Sequence, residues 1–287
     1  MPVATINAGI QDFRLTLENN VPVSTSDQLA KSTLYFTPCK GPRIALYNGA
    51  TGWEVLSSAQ VSLNLNTAKA GAPLDANLPH DIFAYNNAGT LTLEAAVWAS
   101  TVARNAGNTP VLQDGVYVRT AATTHRYVGT IMTTAVAGVC EDSLAKRFVW
   151  NEDNRVARRL YIRNVAAHNY TTAIWQAWNN DAPNSQVAFV LGFKEDAVNI
   201  QSYHAYKNTN AGVGVYFGVG LDTVGATQSV PNFNQMKIAN YIQNDVAIAG
   251  NNEPAGVGYH YCCSVEYSTA TGTTSWAETA VSGEVRA

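Results

Sequence analysis

Charge is scarce in this sequence. Only 14% of its 287 residues are Asp, Glu, Lys or Arg, where an ordinary soluble domain carries roughly 25%. Lysine is especially rare, with seven in the whole chain. The 18 basic residues are outnumbered by 21 acidic ones, for a net charge of −3. No global basic field is therefore present to gather nucleic acid or an anionic membrane. Long apolar runs are also missing. Nowhere do about 18 apolar residues follow one another, so no membrane insertion is expected. The opening Met1-Pro2-Val3-Ala4-Thr5-Ile6-Asn7 has neither the basic start nor the apolar core of a secretory signal, and synthesis in a cytoplasm is expected. Cysteine is limited to Cys39, Cys140, Cys262 and Cys263. No C-x-x-C occurs, which removes zinc-ribbon and thioredoxin readings. Adjacent Cys262 and Cys263 point to opposite faces of a strand and cannot easily pair with each other. All four are read as reduced, strand-borne packing residues.

Signatures of chemistry are absent as well. There is no H-E-x-x-H, G-x-S-x-G, Walker A or EF-hand loop. The five histidines, His80, His125, His168, His204 and His260, are scattered singly and read as satisfied or surface residues. Carboxylates form three adjacent pairs, Glu141-Asp142, Glu152-Asp153 and Glu195-Asp196. A glycosidase needs two carboxylates roughly 5–10 Å apart across a cleft. Neighbours on a strand face opposite ways, so each pair is read as solvated turn charge. A dyad assembled from different pairs is the alternative. No catalytic residue, metal or cofactor is expected.

What fills the chain instead is Thr and Asn, 27 of each, beside 21 Gly and 14 Tyr. Thr and Tyr suit strands; Asn and Gly suit tight turns. The reading is all-β: two tandem antiparallel β-sandwich or barrel-like domains with little helix. Strand signals recur at roughly 8–12-residue spacing, as in sandwiches and barrels. Asn48-Gly49 marks a hairpin between Arg43–Tyr47 and Gly52–Leu56. Val61, Leu63 and Leu65 alternate with Ser62, Asn64 and Asn66, a half-buried strand. Residues 81–85 and 90–94 form a second hairpin around Asn86-Asn87-Ala88-Gly89, and Asp114-Gly115 introduces another strand. Glu141–Arg147 suggests a helical turn, and residues 232–242 are the best helix candidate. Tyr259–Tyr267 and Thr273–Trp276 look like a closing hairpin.

Three local features stand out. Residues 146–163 hold six of the 18 basic residues, with Phe148, Trp150, Leu160, Tyr161 and Ile162 between them. Arg with aromatics is the composition of interface cores, so this stretch is read as a seam between subunits or domains rather than a phosphate stripe. The candidates are Arg147, Trp150, Arg155, Arg159 and Tyr161. Trp175, Trp178, Tyr203 and Tyr206 lie near Asn and Asp and are candidate glycan contacts. Finally, Gly212, Gly214, Tyr216, Gly218 and Gly220 share one strand face, which suggests close packing by another sheet or chain.

Several motifs resemble a known family. Leu34-Tyr35-Phe36-Thr37-Pro38, Ile44-Ala45-Leu46-Tyr47-Asn48-Gly49 with Trp53, and Asp81-Ile82-Phe83-Ala84-Tyr85 with Trp98 are similar to virion structural proteins of tailed bacteriophages. So are Gln113–Val118, Tyr127–Thr130, Lys146-Arg147-Phe148-Val149-Trp150-Asn151 and Glu266–Thr274. The 66–80 segment and Cys262-Cys263 depart from that pattern. The resemblance implies a non-enzymatic virion protein, a tail fibre or tail-tip component that meets the host surface, or else a capsid decoration or head-fibre protein. A glycan-cleaving virion enzyme is the minor alternative. It also implies a homo-oligomer, most simply a trimer, with other virion proteins and a host surface glycan as partners, and neither nucleic acid nor membrane insertion. In that setting residues 1–25 form an N-terminal attachment segment, 26–145 an N-terminal β domain, 146–165 a basic and aromatic connector, and 166–287 a C-terminal β-sandwich domain.

Overall fold

A computed structural model describes residues 7–50, 52–194, 198–210, 213–225 and 256–287, together with the backbone of strands Gln235–Ile238 and Gln243–Gly250. The chain is all-β. Its described residues form five sheets, and their helix is confined to three one-turn 3-10 segments. Pairing is antiparallel throughout the named strands except where Lys146–Arg147 runs parallel to Gln186–Leu191.

The tight turns follow from their residues. Asp114 and Gly115 adopt φ of 52° and 81°, which lets Pro110–Gln113 fold directly back on Val116–Arg119, Gln113 opposite Val116. Two consecutive positive φ angles match the right-handed twist of the flanking strands, and Asp-Gly supplies them at little cost. Ala88 and Gly89 do the same between Pro79–Asn87 and Thr90–Val97. Arg43–Tyr47 pairs with Trp53–Ser57 across the Asn48-Gly49 turn, Tyr47 opposite Trp53.

Two large sheets carry most of the strands of the second half of the chain. One is ordered through Gln28–Lys31, Cys140–Asp142, Lys146–Arg147, Gln186–Leu191, Gly258–Ser268, Gly214–Leu221 and Gln235–Ile238. It thus takes strands from both sides of residues 146–165. The other runs Ala157–Asn164, Thr274–Arg286, Asn199–Asn208, Gln243–Gly250. Within residues 146–165 lie three strands, Lys146–Arg147, Val149–Asn151 and Ala157–Asn164. Residues 7–25 include the strand Phe13–Thr16, all four of whose residues are buried.

One apolar cluster extends from Phe13 and Leu15 through Phe83, Tyr127 and Trp150 to Phe189, Leu191 and Val285. A second, smaller cluster of Trp178, Tyr206, Val215, Phe217 and Trp276 brings together side chains from both larger sheets. Burying large aromatic and aliphatic side chains in this way contributes about 1.5–3 kcal/mol each.

Three sequence expectations need correction. Gln235–Ile238, inside the proposed helix, is a strand paired with Gly214–Phe217; neighbouring positions 239–242 lie outside the described residues. Glu141–Arg147 is not helical: Ser143 and Lys146 close a tight turn through reciprocal backbone hydrogen bonds of 2.7 and 3.2 Å. Gly258–Ser268 and Thr274–Arg286 do not form a hairpin. They enter different sheets, and the connection between them turns through Ala270 and Gly272, both at positive φ.

Candidate functional site

The candidate residues separate into an interior set and a surface set, and strand alternation sorts them. Along Ala157–Asn164, Arg158, Leu160 and Asn164 are buried, while Arg159 and Arg163 are exposed and Tyr161 is half-buried.

Arg147 belongs to the interior. Its guanidinium donates to Asp142 Oδ1 at 3.1 Å and to the Arg159 carbonyl at 3.0 Å. Arg158 reaches the other oxygen of Asp142 at 2.9 Å. Two arginines thus share one buried carboxylate, each bonded to one of its oxygens, and carbonyls of Arg159 and Ser24 occupy further donors. Trp150 is fully buried against Tyr127 and Phe193, and the Arg155 guanidinium lies 5.0 Å from its ring centroid. The contacts of Arg147 and Trp150 are therefore within one chain.

Trp178 and Tyr206 are fully buried too, in the smaller aromatic cluster. They pack around His204 and Trp276 and cannot meet a sugar from outside in this fold. Burial lowers the His204 pKa to about 3. Its Nε2 lies 3.2 Å from Ser202 Oγ and 3.3 Å from Ser264 Oγ, and Ser264 Oγ pairs with Thr279 Oγ1 at 2.8 Å. A histidine and a serine are in contact, but both are sealed from solvent, and His204 stays neutral as a packing residue. Trp175 is half-buried and leans on Tyr267 at 5.3 Å, which in turn meets Tyr216 edge-on.

Two further polar centres escaped the sequence reading. Glu266 is fully buried and accepts hydrogen bonds from Gln176 Nε2 at 2.7 Å and the Asn179 amide at 3.1 Å, with His168 Nε2 at 2.7 Å. Asp81 is fully buried as well and is held by Arg104 Nε at 2.6 Å and Thr130 Oγ1 at 2.7 Å. Arg104 also donates to the Gly192 carbonyl and lies over the Trp98 ring. No local spacing announces these pairs; their partners are brought in from distant strands. Among the described residues no group of three His, Cys, Asp or Glu side chains is placed to hold a metal ion. The Glu195-Asp196 pair and Gly212 lie outside the described residues. Gly218 and Gly220 are buried on the face they share with Tyr216, opposite Val265 and Cys263 of the neighbouring strand.

The surface set converges on one place. The antiparallel register puts Arg159 opposite Glu284 and Glu284 opposite Asn199; the next outward row is Tyr161, Ser282, Gln201; the row after that is Arg163, Ala280, Tyr203. Arg159 and Tyr161, from the basic stretch, and Tyr203, from the aromatic set, therefore share the outer face of the second large sheet. Arg159 stacks over Tyr161 at 4.8 Å, and Arg163 is paired with Glu278. An open depression of about 400 Å³ lies on this face, lined by Asn199, Gln201, Ser282, Gly283, Glu284 and Arg286.

No family model matches the chain, and no curated protein matches it. Among solved structures, it is similar to a family two carbohydrate esterase from Cellvibrio japonicus (11% identity, 46% of this chain and 35% of that one, TM-score 0.21). It is also similar to dimeric latent PorU from Porphyromonas gingivalis (9%, 78% and 21%, TM-score 0.29) and to a structure of infectious bursal disease virus, Gx strain (8%, 99% and 74%, TM-score 0.27). The chain spans about a third and a fifth of the first two proteins. Likenesses with TM-scores this low carry no argument about what the chain does.

Proposed function

We propose that this chain is a non-enzymatic structural protein of a phage virion, a tail-fibre or tail-tip component that contacts the host surface. The sequence resemblance supplies the setting. The observation that carries the reading is the division of polar groups. The buried acids and bases, Asp81, Asp142, Glu266 and Arg158, are engaged in contacts within the chain, whereas Asn199, Glu284 and Arg286 are presented outward around an open depression. Such a body is built to hold a surface still. Glycoside hydrolysis uses two carboxylates across a cleft, and among the residues lining the depression Glu284 is the single carboxylate. Assembly as a homo-oligomer, most simply a trimer, belongs to the same reading.

Gold-labelled antibody raised against the purified chain tests this on intact particles. Label at the distal end of the tail is the expected result. Label over the capsid would replace host contact by decoration, and no label on particles would remove the virion reading.

A further inference from the structure

We infer that the outer face of the second large sheet, Ala157–Asn164, Thr274–Arg286 and Asn199–Asn208, binds an acidic saccharide, a sugar ring bearing a carboxylate. The inference deepens the host-contact reading and rests on it for its biological setting.

The unpaired charges come first. Arginines near this sheet are usually committed: Arg158 and Arg147 to Asp142, Arg163 to Glu278. Two are not. Among the described residues, neither Arg159 nor Arg286 has a carboxylate within ion-pair distance, and both are exposed. Arg159 is held in place by stacking on Tyr161, so its guanidinium loses less freedom on engaging a ligand. A guanidinium with open donors matches a carboxylate in planar, two-bond geometry.

The lining of the depression, which includes Arg286 while Arg159 lies one strand away beyond Glu284, sets the rest of the ligand. Asn199 and Gln201 each offer a donor and an acceptor, Ser282 a hydroxyl that does either, and Glu284 acceptors alone. An apolar occupant would strip water from these groups and return nothing. A bare inorganic anion would use the Arg286 guanidinium and the amide N–H donors but leave the amide oxygens and Glu284 without a donor, in a depression whose volume falls within the range of small-molecule sites. A polyhydroxylated ring meets both demands: its hydroxyls donate to Glu284 and exchange hydrogen bonds with the amides, while its carboxylate faces Arg286. Tyr203, two rows along, supplies an aromatic edge beside the polar floor. The site differs from the aromatic cluster expected from the sequence, since Trp178 and Tyr206 are interior.

Saturation-transfer NMR on the full chain tests the inference, with N-acetylneuraminic acid and glucuronic acid as probes and glucose as the neutral control. Transfer to at least one acid and not to glucose is expected. Arg286→Gln should weaken that binding about tenfold, and Gln201→Ala should weaken it as well, with the thermal midpoint of each variant within scatter of the parent. No transfer to either acid overturns the inference, as does equal transfer to glucose. If Arg286→Gln changes the mass in light scattering, the face is a contact between copies and the sugar site is wrong. Tail-tip labelling of the particle without acidic-sugar binding would overturn this ligand while leaving the host-contact reading in place.

Discussion

His168 Nε2 lies 2.7 Å from a carboxylate oxygen of Glu266, although 98 residues separate them in the chain. Glu266 comes from Gly258–Ser268 in one large sheet, and His168 from a strand, His168–Tyr170, that pairs with Thr274–Arg286 in the other. The contact therefore ties the two sheets together through a hydrogen bond between a half-buried imidazole and a fully buried carboxylate. Gln176 Nε2 and the Asn179 amide also donate to Glu266, so removing it leaves buried donors unpaired, at a cost on the order of 3 kcal/mol in all. Glu266→Ala should lower stability by roughly that amount, read from urea unfolding. An unfolding free energy unchanged from the parent would mean that the pair is incidental.

Acid should destabilise the chain through its buried histidines. Burial lowers the His204 pKa to about 3 and the His80 pKa to about 4. In the unfolded chain each takes up a proton near pH 6.5. Between that value and the folded one the unfolded state binds more protons, so stability falls as pH falls. The contribution is complete above about pH 6.5 and declines below it by about 1.4 kcal/mol per pH unit for each histidine. Urea unfolding between pH 7.5 and 4.5 should show a shallower decline for His204→Phe than for the parent. Parallel curves would show that His204 does not remain neutral in the fold.

Much of the turn chemistry was legible in the sequence. Asp114-Gly115 carries its hairpin in two residues, because few other pairs tolerate the required φ, whereas Asn48-Gly49 opens a longer connection that returns at Trp53. The alternation of Val61, Leu63 and Leu65 likewise appears as inward and outward residues. Period two says which side of a strand faces inward; it does not say which sheet the strand joins. Hence Gly258–Ser268 and Thr274–Arg286, neighbours in sequence, were expected to pair and instead cross between sheets. The same limit applies to the site. Arg159 and Tyr161 could be placed on one face from spacing alone, but Asn199, Glu284 and Arg286 join them only through register between three strands. Trp178 gave no sign of its burial, since an aromatic beside Asn reads alike in a core and on a surface.

Gly192 should not tolerate a side chain. A Cβ there would collide with the Tyr127 hydroxyl and the six-membered ring of Trp150, both fully buried. Overpacking of this kind costs about 1–3 kcal/mol. Gly192→Ala should therefore lower the thermal midpoint and broaden the signals of the surrounding aromatics in NMR. A midpoint equal to that of the parent would show that this core yields more easily than its packing suggests.

The cysteines should be slow to react. Burial raises the thiols of Cys140 and Cys262, and pushes Cys263 to about 12, which leaves almost no thiolate at neutral pH. Cys39, in the turn after Thr33–Pro38, is half-buried and also raised by burial. Titration with a chromogenic disulfide should find at most one thiol reacting promptly in the folded chain, and Cys39→Ser should remove it. In denaturant all four should react. Prompt reaction of two or more in the folded state would contradict the sealed positions of the other three.

Neighbouring arginines should behave in opposite ways. Arg158 is buried, with a 2.9 Å bond to Asp142 Oδ2 and a 3.2 Å bond to the Ser24 carbonyl. Arg159, one residue on, points out of the sheet and stacks on Tyr161. Arg158→Glu would set two carboxylates against each other inside the protein, with Arg147 the arginine still bonded to Asp142. The loss should reach at least the 3–5 kcal/mol of a broken buried pair, or about half the stability of an ordinary domain, and the chain should recover poorly from expression. Arg159→Glu should fold with only a small loss, under about 1 kcal/mol, because its charge stays in water even opposite Glu284. Asp142→Asn keeps the shape and one of the two acceptor oxygens, removes the charge that two arginines share, and turns an amide donor toward one of them. It should fall between the other two variants. If Arg159→Glu proves as damaging as Arg158→Glu, alternation along Ala157–Asn164 is not what sorts the basic stretch, and the assignment of its outer face fails with it.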